Sequence, residues 1–303
     1  MKKKILITGA SGLVGKKLMS YLQSQGYTCH VLTANKRQKK QEHIFYWNPA
    51  EGIIDQDCLD GVSIIIHLAG AGIADKRWTK SYKQLILDSR VKGAELLFNL
   101  AKNKNLHPDH FISASGSGIY ASGPGMTADE HGVFGHGFLT DVCQRWEAAA
   151  FQFEQIGTRV SVVRTAVVLA AEGGFLKPFN LAMKFRMLPV FGMKTQHISW
   201  IHLEDLVAIY GRLVMDEAFS GVYNASAPES SMQGEFLQIL AEVSTHKCLF
   251  PVLPAGLVRI IFGEQSELLL SDQMVYPAKL LQQGFVFKYP TLKAALKQIY
   301  VKQ

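Results

Sequence analysis

Lys4-Ile5-Leu6-Ile7-Thr8-Gly9-Ala10-Ser11-Gly12-Leu13-Val14-Gly15 is the stretch that decides the fold. Residues 4–8 form an apolar run of the length of a buried strand, and glycines then fall at positions 9, 12 and 15 as an amphipathic pattern begins. A strand, a glycine loop and a helix in immediate succession form the dinucleotide-binding arrangement. Gly9 permits the tight turn, Gly12 lets the backbone approach a pyrophosphate, and Gly15 removes a side chain where helix meets strand. The helix N-terminus offers unpaired N–H groups and its positive dipole end to phosphates, so Gly9, Ser11, Gly12, Leu13, Val14 and Gly15 are expected against the cofactor. Because Ile5-Leu6-Ile7 runs straight into this loop, Met1-Lys2-Lys3-Lys4 is not read as the start of a signal peptide.

Outward from the loop, further short apolar runs at 28–33, 62–68, 110–114 and 160–165 read as strands. Between them, 13–25, 82–102 and 140–156 carry apolar residues at three- and four-residue spacing and read as helices. The alternation predicts an α/β fold: a Rossmann-type doubly wound parallel sheet with right-handed crossovers. Beyond Thr165 the pattern changes to a stretch punctuated by Gly173-Gly174, Pro178, Pro189 and Gly192, then helices near 204–215, 254–262, 277–283 and 292–300. The expected division is a cofactor domain over 1–170, to which part of 195–230 returns, and a smaller C-terminal α/β substrate lobe over 171–303 with a helical region at 251–303. No low-complexity linker separates them.

With 48% hydrophobic and 19% charged residues in 303, the chain can bury a sizeable core and is not expected to be disordered. No uninterrupted apolar run reaches the roughly 18–20 residues of a membrane span, and Arg164 interrupts the richest stretch, 160–169. No membrane partner is expected. Cys29, Cys58, Cys143 and Cys248 match neither a metal-ligand spacing nor a disulfide framework, which fits a reducing cytoplasm and no metal. The net charge of +7 comes without a long basic block or an aromatic-interleaved basic motif, so anionic small molecules, not nucleic acid, account for it.

The end of the second strand bears on the choice of nicotinamide cofactor. Enzymes that take NAD usually carry an acid there for the ribose diol. Here Thr33 stands at that place, followed by Ala34-Asn35-Lys36-Arg37 and then Lys39-Lys40. These cations suit a 2′-phosphate, so NADP(H) is expected, with Arg37 the first partner and Lys36 the second. The alternative is a solvated basic loop.

The glycine loop, His67-Leu68-Ala69-Gly70 after the third long strand, and the stretch 113–120 together resemble the extended short-chain dehydrogenase/reductases. Ser199-Trp200-Ile201-His202-Leu203-Glu204-Asp205-Leu206, Pro277-Ala278-Lys279-Leu280 and Gly284-Phe285 extend the likeness beyond the cofactor half. Ala74-Asp75-Lys76-Arg77-Trp78-Thr79, Cys143-Gln144-Arg145-Trp146-Glu147 and Arg164-Thr165-Ala166-Val167-Val168-Leu169 look most like the atypical bacterial "epimerase family" proteins, which carry a small C-terminal domain of unknown function. The resemblance implies a cofactor-binding fold whose substrate is not established. It also places Leu68, Ala69 and Gly70 against the cofactor.

Extended reductases use a Tyr and a Lys four residues later on one helix, facing the nicotinamide. Alignment on Glu147 puts Leu139 at the Tyr position and Cys143 at the Lys position, so the pair is missing. At the position of the family serine stands Gly116, flanked by Ser115 and Ser117. Either hydroxyl could meet a substrate carbonyl, or both could cap turns. Tyr120 is a third proton-transfer candidate, or a packed aromatic at the rim. Arg77 and Trp78 at a strand's carboxyl end, and Trp200, are candidates for substrate contact, the alternative for Trp78 being core packing on Tyr82. Cys143 is either a reactive thiol or a buried small apolar residue. The function expected is an NADP-dependent oxidoreductase or epimerase acting on a small polar molecule. The competing expectation is a non-catalytic NADP(H)-binding sensor or scaffold. Helices 82–102 and 140–156 are where extended relatives often dimerise.

Overall fold

The computed structural model describes residues 3–37 and 42–301, so Lys39 and Lys40 lie outside the described residues. They fall into two compact units. One comprises residues 3–116, 137–164 and 207–222, and the other residues 117–136, 165–206 and 223–301. The segment 117–136, expected with the cofactor domain, thus clusters with the second unit, and the helix Leu203–Met215 contributes its later turns to the first.

An eight-stranded sheet organises the first unit, in the spatial order Gly221–Ala225, Arg159–Thr165, His110–Gly116, Val62–His67, Lys4–Thr8, Thr28–Thr33, Ile44–Asn48, Ile53–Ile54. From His110–Gly116 to Ile44–Asn48 neighbouring strands run parallel, and Ile53–Ile54 turns back antiparallel. Three of these strands, at 44–48, 53–54 and 221–225, were not expected from the sequence. Leu6, Ile65, Phe111, Val160 and Val162 point from the strands into a core that also takes Leu97, Phe98 and Phe153 from the helices. The Phe111 and Phe153 rings stack there at 3.9 Å. Helix Leu13–Ser24 buries Gly15, Leu18 and Leu22 on one stripe, and helix Lys80–Asn103 starts where the Thr79 hydroxyl accepts from Tyr82 N at 3.2 Å.

The second unit draws its elements from three distant stretches. Gly173–Gly174, Val167–Ala170 and Trp200–His202 form a small three-stranded sheet. Helices Leu176–Lys184, Gln233–Val243 and Leu292–Val301 close a separate core of Phe179, Met183, Trp200, Phe236, Leu240 and Leu296. Among the described residues no helix is long and apolar enough to cross a membrane.

Candidate functional site

Strand order in the first unit reverses at Lys4–Thr8, which lies between Thr28–Thr33 on one side and Val62–His67 on the other. In an open parallel sheet such a reversal opens a crevice at the carboxyl ends of the strands, where ligands bind. The glycine loop leaves the strand there. Gly9 adopts φ +71°, and a Cβ on it would come within 2.9 Å of the Leu68 and Ala69 backbone, so only glycine serves. A Cβ on Gly15 would strike the Gly9 carbonyl and lie 2.7 Å from Ala10 Cα, so the glycine lets the helix pack closely on the residues that leave the strand. Gly12 is the N-cap of helix Leu13–Ser24, with φ −75°, and lends no side chain to the first-turn N–H groups; that turn also lacks an acid. The donors of Leu13 and Val14 are thereby left for a phosphate, with Ser11 and Gly12 exposed beside them.

Below this loop a buried chain of hydrogen bonds fixes the strand ends. His67, opposite Thr8 in the sheet register, gives Nε2 to the Arg90 carbonyl (3.1 Å) and Nδ1 to the Thr8 hydroxyl (2.9 Å). A carbonyl only accepts, so Nε2 carries the proton, and the Thr8 hydroxyl donates to Nδ1. The Thr8 oxygen then accepts from Leu68 N and Ala69 N, both at 3.1 Å. Burial pulls the His67 pKa down to about 4, so the ring is neutral and the chain intact at pH 7. The result is a fixed Leu68-Ala69-Gly70 turn at the crevice.

Sequence reasoning missed Arg90. Its Nη1 donates to the Ala71 and Ile86 carbonyls at 2.9 Å, and its guanidinium lies 5.0 Å from the Trp146 ring centroid. A Cβ on Gly70 would come within 2.8 Å of Arg90 Cζ, so the glycine makes room for the cation. No described carboxylate pairs with Arg90, and burial lowers its pKa from the ordinary arginine value. A helical residue twenty positions beyond the turn it serves carries no local signal.

At the end of Thr28–Thr33, the Thr33 hydroxyl accepts from Asn35 N (3.1 Å), and Asn35 Oδ1 accepts from Arg37 N (3.0 Å). These two turns shape the loop that carries Lys36 and Arg37, both exposed. Lys36 Nζ lies 5.3 Å from the Tyr46 ring centroid.

The strand end at 113–116 is occupied differently from expectation. Ser115, 5% exposed, donates to Glu147 Oε1 at 2.7 Å, and Glu147 takes a forked pair from Arg164, Nε at 2.9 Å and Nη2 at 2.8 Å. All three are buried, so the Ser115 hydroxyl is committed to an internal ion pair and is not available to a substrate carbonyl. Cys143 is buried beside them, and burial pushes its thiol up to about 11, which favours the small-apolar reading over a reactive thiolate. Helix Phe138–Phe151, which carries Leu139 and Cys143, contains neither tyrosine nor lysine. Trp78 is buried, its Nε1 donates to the Ile73 carbonyl (2.7 Å), and its ring meets Phe138 edge-on at 4.9 Å. It packs as core against Phe138, whereas Arg77 is exposed.

In the second unit, Tyr120 is 2% exposed and its hydroxyl donates to Asn224 Oδ1 at 2.6 Å. Asn224 in turn donates to the Tyr276 carbonyl, which makes Tyr120 a structural phenol and removes it as a proton donor. Trp200 is fully buried in the core with Phe236, so it cannot be the substrate wall that was expected. Ser117 is placed otherwise: it lines a cavity of about 80 Å³ together with Phe175, Phe179, Phe191 and His197. His197 Nδ1 lies 3.1 Å from Asp272 Oδ1, which also accepts from His197 N at 2.8 Å.

A family model described as the NAD dependent epimerase/dehydratase family matches residues 5–225, from the first strand through the glycine loop to the sheet's edge. The chain belongs to this family. Residues 253–299 match a second model, a domain of unknown function, in keeping with the expected C-terminal resemblance. An epimerase family protein of Staphylococcus aureus is 34% identical over 301 residues, 99% of this chain and 100% of that one. The human epimerase family protein SDR39U1, solved with NADPH, superposes with a TM-score of 0.86 at 25% identity, covering 99% of this chain and 100% of that chain. A nucleoside-diphosphate sugar epimerase of Corynebacterium glutamicum gives 0.80 at 29% identity, with 99% of this chain and 59% of that chain covered. The open helix N-terminus above the fixed Leu68-Ala69-Gly70 turn fits the nicotinamide cofactor that this family takes.

Proposed function

We propose that this epimerase-family protein binds NADP(H) in preference to NAD(H) and acts as an oxidoreductase or epimerase on a small molecule. The end of strand Thr28–Thr33 carries the cofactor choice: no carboxylate stands at Thr33, and the exposed cations Lys36 and Arg37 follow on a loop shaped by two side-chain turns. Arg37 would fork onto a 2′-phosphate and Lys36 would add a point charge. Ser11, Gly12, Leu13 and Val14 would hold the pyrophosphate, and Leu68, Ala69 and Gly70 would border the rest of the dinucleotide. The human relative's structure with NADPH supports the same choice. The nicotinamide supplies or accepts a hydride; orientation, exclusion of water and proton transfer fall to the chain. Because helix Phe138–Phe151 has neither Tyr nor Lys, a proton would have to move through a group other than that pair. The same observation favours a second reading, a cofactor-binding sensor or scaffold without chemistry.

Calorimetric titration with NADPH and NADH tests the proposal. The protein as it stands should prefer NADPH, and Lys36→Ala with Arg37→Ala should remove most of the preference, about ten- to a hundredfold in NADPH affinity. Equal affinities in the unaltered protein overturn the NADP assignment. Absence of NADPH oxidation across a broad carbonyl panel, with tight binding retained, selects the second reading.

A further inference from the structure

The cavity of the second unit shows what kind of molecule it takes. Seven of its thirteen lining residues are apolar, Phe175, Phe179, Phe191 and Leu268 among them. A water needs about 10–15 Å³ of such space, so about 80 Å³ admits several waters or one small organic molecule. Neither lysine nor arginine lines it. A nucleoside diphosphate would bring its charges to a wall that cannot neutralise them.

The polar wall groups divide sharply. Gln233 spends its amide on the Phe191 backbone, accepting from N at 2.6 Å and donating to O at 3.3 Å. Ser199 donates to the Gln273 carbonyl (2.9 Å) and accepts from Val275 N (2.8 Å). Gln273 Nε2 donates to the Tyr120 carbonyl at 2.8 Å. His197 Nε2 and the hydroxyls of Ser117 and Ser271 have no such partner among the described residues. Asp272 Oδ1 accepts from His197 Nδ1, so Nε2 is the ring atom left to a ligand.

We propose that this cavity binds a small uncharged molecule with an aromatic or aliphatic body and one hydroxyl, which hydrogen-bonds to His197 Nε2, with Ser117 and Ser271 as the neighbouring polar partners. The inference rests on the reading of this protein as acting on a small molecule, and it replaces the polar substrate expected from the sequence with a mainly apolar alcohol. The diphosphate of a nucleotide sugar, the substrate class named for the Corynebacterium relative, finds no lysine or arginine on this wall.

The test follows the His197 ring signals by NMR in the full chain, assigned with His197→Gln, during titration with benzyl alcohol, its hydroxyl-free isostere ethylbenzene, and UDP-glucose. Benzyl alcohol should shift the His197 signals saturably. Ethylbenzene should bind about tenfold more weakly, as should benzyl alcohol to His197→Gln, the loss of one hydrogen bond in an apolar site. UDP-glucose should leave the signals unmoved. Equal binding of alcohol and isostere, an unmoved signal with benzyl alcohol, or a saturable shift with UDP-glucose overturns the proposal. The isostere comparison uses the unaltered protein and stands even if the variant fails to fold. NADPH titrated into the same sample reports the cofactor reading separately, since alcohol binding without NADPH binding would sink that reading and leave this one.

Discussion

At the carboxyl ends of strands in the first unit, three buried polar contacts are closed: Thr8 with His67, Ser115 with Glu147, and Glu147 with Arg164. In the second unit's cavity the polar wall is only half spent, and the atoms left over are His197 Nε2 and two serine hydroxyls. Buried polar groups in folded proteins are nearly always satisfied, so closed pairing marks a group that holds the fold. A polar atom without a protein partner at a cavity wall is the one a ligand can use. The open donors of helix Leu13–Ser24 belong to this second kind, although they lie in the first unit. The boundary between structural and functional polar groups therefore does not follow the boundary between units, nor residue type: Ser115 and Ser117 stand two positions apart on opposite sides of it.

The harshest way to break this comparison is to open the closed network. Glu147→Ala would leave the Arg164 guanidinium buried without its counter-charge, and removal of one partner of a buried pair costs about 3–5 kcal/mol. Urea denaturation should show that loss, whereas Glu147→Leu combined with Arg164→Met should recover most of it, because the pair's desolvation cost goes with it. A small effect from Glu147→Ala alone would mean that the network is not closed.

Acid should open the other network. The His67 pKa is about 4 in the folded chain against roughly 6.5 for an unperturbed histidine. Between those values the unfolded chain takes up a proton that the folded chain refuses, so stability falls as pH drops from about 6.5 to about 4 and the loss levels off below. For this fully buried ring the loss amounts to about 3 kcal/mol over that window. His110, drawn down by burial to about 3, extends the fall to lower pH. His67→Gln, which keeps a donor for the Arg90 carbonyl, should flatten the His67 part of the curve in urea unfolding measured against pH. Identical slopes in the two proteins would remove His67 from the account.

What was legible in the sequence was what is local. The glycine loop, the helix it starts and the parallel strands at 28–33 and 62–68 announce themselves by spacing and composition within a dozen residues. Tyr120 was left between a proton donor and a packed aromatic, and Trp200 was read as a site residue; the structure buries both, because burial depends on segments such as Asn224 and Phe236 that come much later. His197 and Asp272, 75 residues apart, carry no pattern that would pair them. Arg90 sits in an ordinary amphipathic helix, and only the absence of a Cβ at Gly70 betrays it. The second unit is built from three separated stretches and was accordingly the part read least well.

Gly12→Val probes the open donors. With φ −75° the position accepts any residue, and its Cβ would meet only the Gly9 carbonyl at 3.3 Å, so the fold should survive with a modest adjustment. The branched side chain would instead cover the first turn of Leu13–Ser24 and stop a pyrophosphate from reaching the Leu13 and Val14 N–H groups. NADPH fluorescence titration should show binding reduced by on the order of a hundredfold, with near-native unfolding behaviour. Normal NADPH affinity would move the phosphates away from this loop.

The smallest effect is the sharpest test of the comparison, because it sets two serines of one short stretch against each other. Ser115→Ala removes a hydrogen bond to a buried carboxylate and leaves Glu147 with Arg164 alone, so stability should fall by about 1.5–3 kcal/mol. Ser117→Ala removes a hydroxyl with no described partner, so stability should stay within about 0.5 kcal/mol of the parent. Ligand binding in the cavity should reverse the order. Benzyl alcohol affinity should be unchanged by Ser115→Ala, whose hydroxyl is enclosed by Glu147, and weakened a fewfold by Ser117→Ala. Chemical denaturation and ligand-observed NMR on the two variants give all four numbers. If Ser115→Ala proves silent in stability while weakening the ligand, the hydroxyl assigned to the ion pair is the one facing substrate, and the division between paired and unpaired polar groups fails at its closest contrast.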